Sequence, residues 1–139
     1  MVLLNNRIKM YLTRLGASYC VKFDEDMDHQ FVTDKGTWEF NNFSAGGRMR
    51  IMIATSFAFR DFMQLRNGIT SNILVLDEYF DSAISSKCID NVMEILRDYA
   101  AQAGQNVFVV SHRSEMNPDA FDRTILVEKT DNISRISCA

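Results

Sequence analysis

Residues 72–82, NILVLDEYFDS, constrain this chain more than any other stretch. Four branched aliphatics, Ile73, Leu74, Val75 and Leu76, run directly into two adjacent carboxylates, Asp77 and Glu78. A run so short and apolar that stops abruptly in acid is the pattern of a strand buried on both faces, its C-terminal end opening into a site. Asp77 and Glu78 are then expected at the rim where parallel-sheet proteins bind ligands. Two other stretches are read in relation to it, FSAGGR at 43–48 and VFVVSHR at 107–113.

The 139 residues are one domain's length, and 47% hydrophobic with 24% charged residues is globular composition. A net charge of −3 excludes a global positive field of the kind that draws in nucleic acid, so any DNA contact is local or belongs to a partner. Cys20, Cys88 and Cys138 are odd in number and lack C-x-x-C spacing, which favours reduced thiols over a disulfide frame or a zinc site. No apolar run approaches the ~18–20 residues that span a bilayer, and Asn5, Asn6, Arg7 and Lys9 interrupt any signal-peptide pattern. The expectation is one soluble, cytoplasmic domain with no membrane contact.

Apolar positions Leu4, Ile8, Tyr11, Leu12 and Leu15 predict a helix over 3–15 that Gly16 ends. Alternation over 19–23 predicts a strand, and after the acidic link 24–28 the runs 30–33 and 37–40 predict a hairpin. Residues 49–65 are apolar nearly all round, which puts that helix inside a domain or under another lobe, with Ser44 as its N-cap. Ser85 and Ser86 can cap a further helix reaching about Ala103, and the run 106–111 is again strand-like. Strand, helix and strand make a βαβ unit whose parallel strands bring His112 to the same rim as Asp77 and Glu78. Residues 123–128 and 133–137 predict a closing hairpin.

An aspartate at a strand end is suited to hold magnesium, usually through water, while the next carboxylate orients or deprotonates an attacking water. Taken alone, the pair reads more readily as a solvated strand end. Ser44, Ala45, Gly46 and Gly47 at a helix start offer unpaired N–H groups and the positive end of a helix dipole, which suit phosphate oxygens. An ordinary capped helix after a glycine turn has the same residues. His112 is placed either to hydrogen-bond a terminal phosphate or simply to meet solvent.

The order and spacing of the three stretches resemble the C-terminal lobe of ABC-type ATPases, and within them the SbcC-like branch that serves recombination and DNA-break repair. Phe43-Ser44-Ala45-Gly46 stands where that family has its serine-glycine-glycine signature. Leu74-Val75-Leu76-Asp77-Glu78 resembles its Walker B strand, and Val109-Val110-Ser111-His112 its switch-histidine strand. The resemblance implies an α/β fold, a mainly parallel sheet with flanking helices and a small antiparallel hairpin. It implies one lobe over 1–139, with 1–16 the returning end of a coiled coil, 17–42 strands, and 43–139 the motif-bearing part.

It further implies ATP and Mg2+ as cofactors, with Asp77 holding magnesium, Glu78 acting as general base and His112 contacting the γ-phosphate. Ser44 and Gly46, in a loop with Ala45 and Gly47, would bind the γ-phosphate of an ATP held by a second head. The implied partners are an N-terminal Walker A lobe on the same or a separate chain, that second head, a nuclease subunit, and DNA through the complex. The implied role is the C-terminal half of an ATP-hydrolysing subunit of a recombination or repair endonuclease. The alternative is a non-catalytic module that docks on an intact ATPase.

Departures bear on this. Ala45 replaces a family glycine, and Gly47 the usual Glu or Gln. The loop after Glu78 lacks the Pro-Thr of transporter ATPases, and Ile84 falls near the expected D-loop aspartate, with Asp81 nearby. The phosphate-binding pattern G-x-x-x-x-G-K-[ST] is absent from the sequence, so the chain alone is expected to turn over little ATP. A missing lobe would leave an uncovered sheet edge and an apolar helix face.

Overall fold

The computed structural model describes residues 1–68, 71–80, 85–102, 104–113 and 116–138, with only the backbone of Cys138. Helix α1, Val2–Arg14, buries the predicted stripe of Leu4, Ile8, Tyr11 and Leu12. Gly16, at φ +73°, ends it in the left-handed region. The N–H groups of Gly16 and Ala17 donate back to Thr13 O and Leu12 O, satisfying two of the helix's last carbonyls.

Strands β1 (Cys20–Phe23), β2 (His29–Thr33) and β3 (Gly36–Trp38) form an antiparallel sheet in that order. The expected second hairpin strand stops at Trp38 because Phe40–Asn42 coils into a 3₁₀ turn. Helix α2, Ala45–Asn67, starts at Ser44 as expected and stops at the left-handed Gly68. Strands β4 (Ile73–Asp77) and β5 (Asn106–Val110) are parallel, with α3 (Ser86–Ala100) between them in sequence. Ser85 occupies the N-cap of α3 but contributes its carbonyl, to Cys88 N and Ile89 N, and makes no side-chain cap. The closing hairpin is β6 (Ile125–Thr130) with β7 (Ile133–Cys138), joined at Asp131 and Asn132, both at positive φ as a two-residue hairpin loop requires.

The α/β class holds, but the parallel part is smaller than expected. Among the described residues only β4 and β5 pair in parallel, and the other five strands are antiparallel. The prediction that the 72–76 strand is buried on both faces is also corrected. Leu76 is buried, and Leu74, Val107 and Val109 are half-buried against the core. On the opposite face Ile73, Val75, Phe108 and Val110 are each about half exposed (49, 55, 53 and 51%). Strand side chains alternate between faces, so one face meets the core while nothing among the described residues covers the other. The nearly all-apolar α2 behaves alike: Ile51, Ile53, Ala54, Phe57 and Ala58 are buried, whereas Met52, Met63 and Leu65 are exposed. No described helix is long and apolar enough to cross a membrane.

Two polar devices fix α2 against its neighbours. Asp61 accepts from Tyr11 of α1 at 2.7 Å and from Tyr99 of α3 at 2.5 Å, and the two phenol oxygens lie 2.8 Å apart. Arg60 donates to the carbonyls of Ile73 (3.1 Å) and Ser71 (2.8 Å) and to Gln105 Oε1 (2.9 Å), tying α2 to the starts of β4 and β5.

Candidate functional site

The β4–β5 register pairs Asp77 with Val110, so the acidic pair and His112 leave the sheet at one edge, as the βαβ reading requires. Beyond the last ladder pair, the Glu78 N–H donates to Val110 O at 3.0 Å. Glu78 itself lies at φ +56°, where a Cβ crowds the backbone at a cost of about 1–2 kcal/mol. This turns the chain sharply away from the strand, leaving Asp77 and Glu78 exposed at the edge and burying Phe80 completely. On the β5 side, Ser111 Oγ accepts from Arg113 N at 3.1 Å, and Arg113 Nη1 donates to Phe80 O at 3.0 Å. His112 is exposed between these contacts. Two carboxylates and an imidazole share one edge, but among the described residues no three histidine, cysteine, aspartate or glutamate side chains converge closely enough to hold a metal ion by themselves. Asp81, Ser82 and Ile84 lie outside the described residues.

The signature turn is built separately. Ser44 Oγ accepts from Gly47 N at 3.1 Å, and helix geometry leaves the N–H groups of Ala45 and Gly46 without intrahelical acceptors. Ser44 and Ala45 are exposed and Gly46 is half-buried, so these donors face outward at the positive end of a 23-residue helix. A phosphate fits such a donor set.

Gly47 is buried, and its carbonyl accepts from Tyr19 Oη at 2.9 Å. A Cβ there would stand 3.3 Å from Phe43 Cβ and 3.4 Å from Ser44 Oγ. Phe43 has little room to yield, with ring centroids of Tyr19, Phe31 and Trp38 at 4.7, 5.5 and 5.3 Å. Gly47 is the third helical residue, where a Glu or Gln would complete a reciprocal capping box with Ser44. The packing at Phe43 accounts for glycine there instead.

The structure thus brings Asp77, Glu78 and His112 together on one edge, and assembles Ser44, Ala45, Gly46 and Gly47 against the β1–β3 side. No hydrogen bond between described residues joins the two groups. An apolar groove of about 480 Å³ between β1–β2 and α2, lined by Phe23, Phe31, Met52 and Phe59 among others, contains none of the predicted site residues. Sequence reasoning missed the Asp61 hub and the Arg113–Phe80 contact. The apolar stripes of α1 and α3, with one tyrosine in each, carried no mark of the shared carboxylate, and Arg113 lay one residue past the motif.

This fold is that of an ABC-type ATPase head. Two solved heads carry the likeness: a structure from work on ATP-driven dimerization and DNA-stimulated activation of SMC ATPases, and the SMC head domain from Thermotoga maritima. The first superposes with TM-score 0.78 at 13% identity, over 99% of this chain and 84% of that one. The second has TM-score 0.68 at 16% identity, over 100% and 48%.

At the sequence level the chain is 33% identical to exonuclease subunit 2 of Escherichia phage RB69, and 30% identical to exonuclease subunit 2 of Enterobacteria phage T4. Each match extends over 129 residues, 91% of this chain. The chain is therefore related over most of its length to these phage exonuclease subunits and shares the fold of SMC ATPase heads, in line with the resemblance drawn from its sequence. It spans 22% of the length of these two relatives. No protein-family model matches it.

Proposed function

We propose that the chain is the signature and Walker B lobe of an ATP-hydrolysing subunit in a DNA recombination or repair nuclease complex, acting in the cytoplasm of a phage's host. The observation that carries this reading is the parallel register that sets Asp77, Glu78 and His112 on one edge of β4–β5. Asp77 would hold magnesium, which when bound supplies charge neutralisation at the phosphates. Glu78 would take the proton of the attacking water, and His112 would hydrogen-bond the terminal phosphate. Ser44 and the amides of Ala45 and Gly46 would receive the γ-phosphate of an ATP held by a second head, in keeping with a signature turn built apart from the acidic edge.

The phosphate-binding lobe would come from elsewhere, and the half-exposed Ile73, Val75, Phe108 and Val110 form the surface it would cover. This chain covers only 48% of the SMC head domain from Thermotoga maritima, whose remaining half leaves room for such a lobe. The test is ATP turnover by the chain with and without a supplied Walker A lobe from an exonuclease subunit 2. Turnover is expected only with the lobe. Robust hydrolysis by the chain alone, or none in the pair that nevertheless associates, would reject the reading, and the second outcome would favour a non-catalytic docking module.

A further inference from the structure

The segment after β5 does more than carry His112. Ser111 Oγ accepts from Arg113 N at 3.1 Å, a local turn that leaves His112 exposed and Arg113 half-buried. The Arg113 guanidinium then donates to Phe80 O at 3.0 Å. The Phe80 ring is fully buried, so that carbonyl is a fixed anchor two residues beyond Glu78. Glu78 thus lies between two ties to the histidine segment, its own N–H on Val110 O and the Arg113 bond on Phe80 O. A left-handed non-glycine residue persists only where surrounding contacts hold it, and these two ties flank it.

We infer that Arg113 is a positioning residue that sets the placement of Glu78 relative to His112 by binding the turn after Glu78 to the histidine segment. The inference rests on the ATPase reading for its catalytic consequence, but the structural tie can be measured without it. Arg113 acts through the backbone of Phe80.

Two measurements test this. In the chain alone, amide hydrogen exchange at residues 78–80 should speed by roughly 10-fold or more in Arg113→Ala and return toward wild type in Arg113→Lys, with β1–β3 unchanged. In the chain completed by a Walker A lobe, Arg113→Ala should lower kcat by roughly 10–100-fold with KM for ATP within about threefold. That loss should shrink to less than about threefold in a His112→Ala background, because residues acting through one geometry are not additive.

Unchanged exchange at 78–80, or an equal Arg113→Ala loss with and without His112, would overturn the inference. A wild-type pair that does not hydrolyse ATP would instead reject the ATPase reading, and the exchange result would still decide whether Arg113 holds the turn.

Discussion

Replacing Asp61 by alanine removes the carboxylate on which α1, α2 and α3 converge. Its two oxygens accept the phenols of Tyr11 and Tyr99, both only 4% exposed, and Arg7 approaches one oxygen at 3.7 Å. A hydrogen bond to a charged group is worth about 1.5–3 kcal/mol, so two represent roughly 3–6 kcal/mol. The phenols remain 2.8 Å apart and can still bond to each other, which leaves one hydroxyl proton orphaned rather than two. The expected cost of Asp61→Ala is therefore about 3 kcal/mol. With a urea slope near 2 kcal/mol per molar, the unfolding midpoint should fall by about 1.5 M.

The same argument fixes a sign. In a Tyr11→Phe/Tyr99→Phe background the carboxylate, with its side chain 12% exposed, keeps only the long Arg7 contact. There it is a poorly compensated charge with little access to solvent, and Asp61→Ala should be neutral or stabilising. Urea unfolding of the four proteins, followed by circular dichroism, gives the coupling directly. An equal loss from Asp61→Ala in both backgrounds would refute the idea that the carboxylate acts through the two phenols.

Three further outcomes are expected. Burial pushes Tyr11 up to about 12 and raises Tyr99 as well, whereas both ionise near 10 when unfolded. The unfolded chain therefore loses protons first: stability should be flat below about pH 10 and fall between pH 10 and 12, by about 1.4 kcal/mol at pH 11 from Tyr11 alone. Urea midpoints at pH 8 and 11 measure this, and Tyr11→Phe should shrink the difference by the Tyr11 share while leaving that of Tyr99.

Gly47→Ala should forgo the ~1 kcal/mol that such a change ordinarily gains in a helix, because its Cβ meets Phe43 and the Ser44 cap. Gly47→Glu should lose about 1–2 kcal/mol by overpacking, and a stabilised Gly47→Ala protein would contradict the packing account. Glu78→Gly should raise stability by about 1 kcal/mol by relieving the left-handed φ, while Glu78→Gln leaves stability unchanged and lowers turnover of the completed enzyme by ~10²–10⁴-fold. Undiminished turnover in Glu78→Gln would remove the base role.

Much of the local structure was legible because it is written in short-range chemistry. The spacing of Leu4, Ile8, Tyr11 and Leu12 defines α1, Ser44 caps α2, and a run of aliphatics ending in Asp77 marks a strand edge whatever surrounds it. The βαβ order also determined that Asp77, Glu78 and His112 share an edge, since parallel strands carry their C-terminal ends to the same side.

The tertiary structure alone decided what depends on partners distant in sequence. It left one face of β4–β5 uncovered, because an apolar run states that a strand can be buried and not that anything lies above it. It brought Tyr11 and Tyr99 to Asp61 across 50 and 38 residues, and set Arg113 on a carbonyl 33 residues earlier. It placed Gly47 in tight packing beside Phe43, where the sequence shows only a missing side chain. Pattern and capping act within a few residues along the chain, whereas these contacts exist only once helices and strands have been laid against one another.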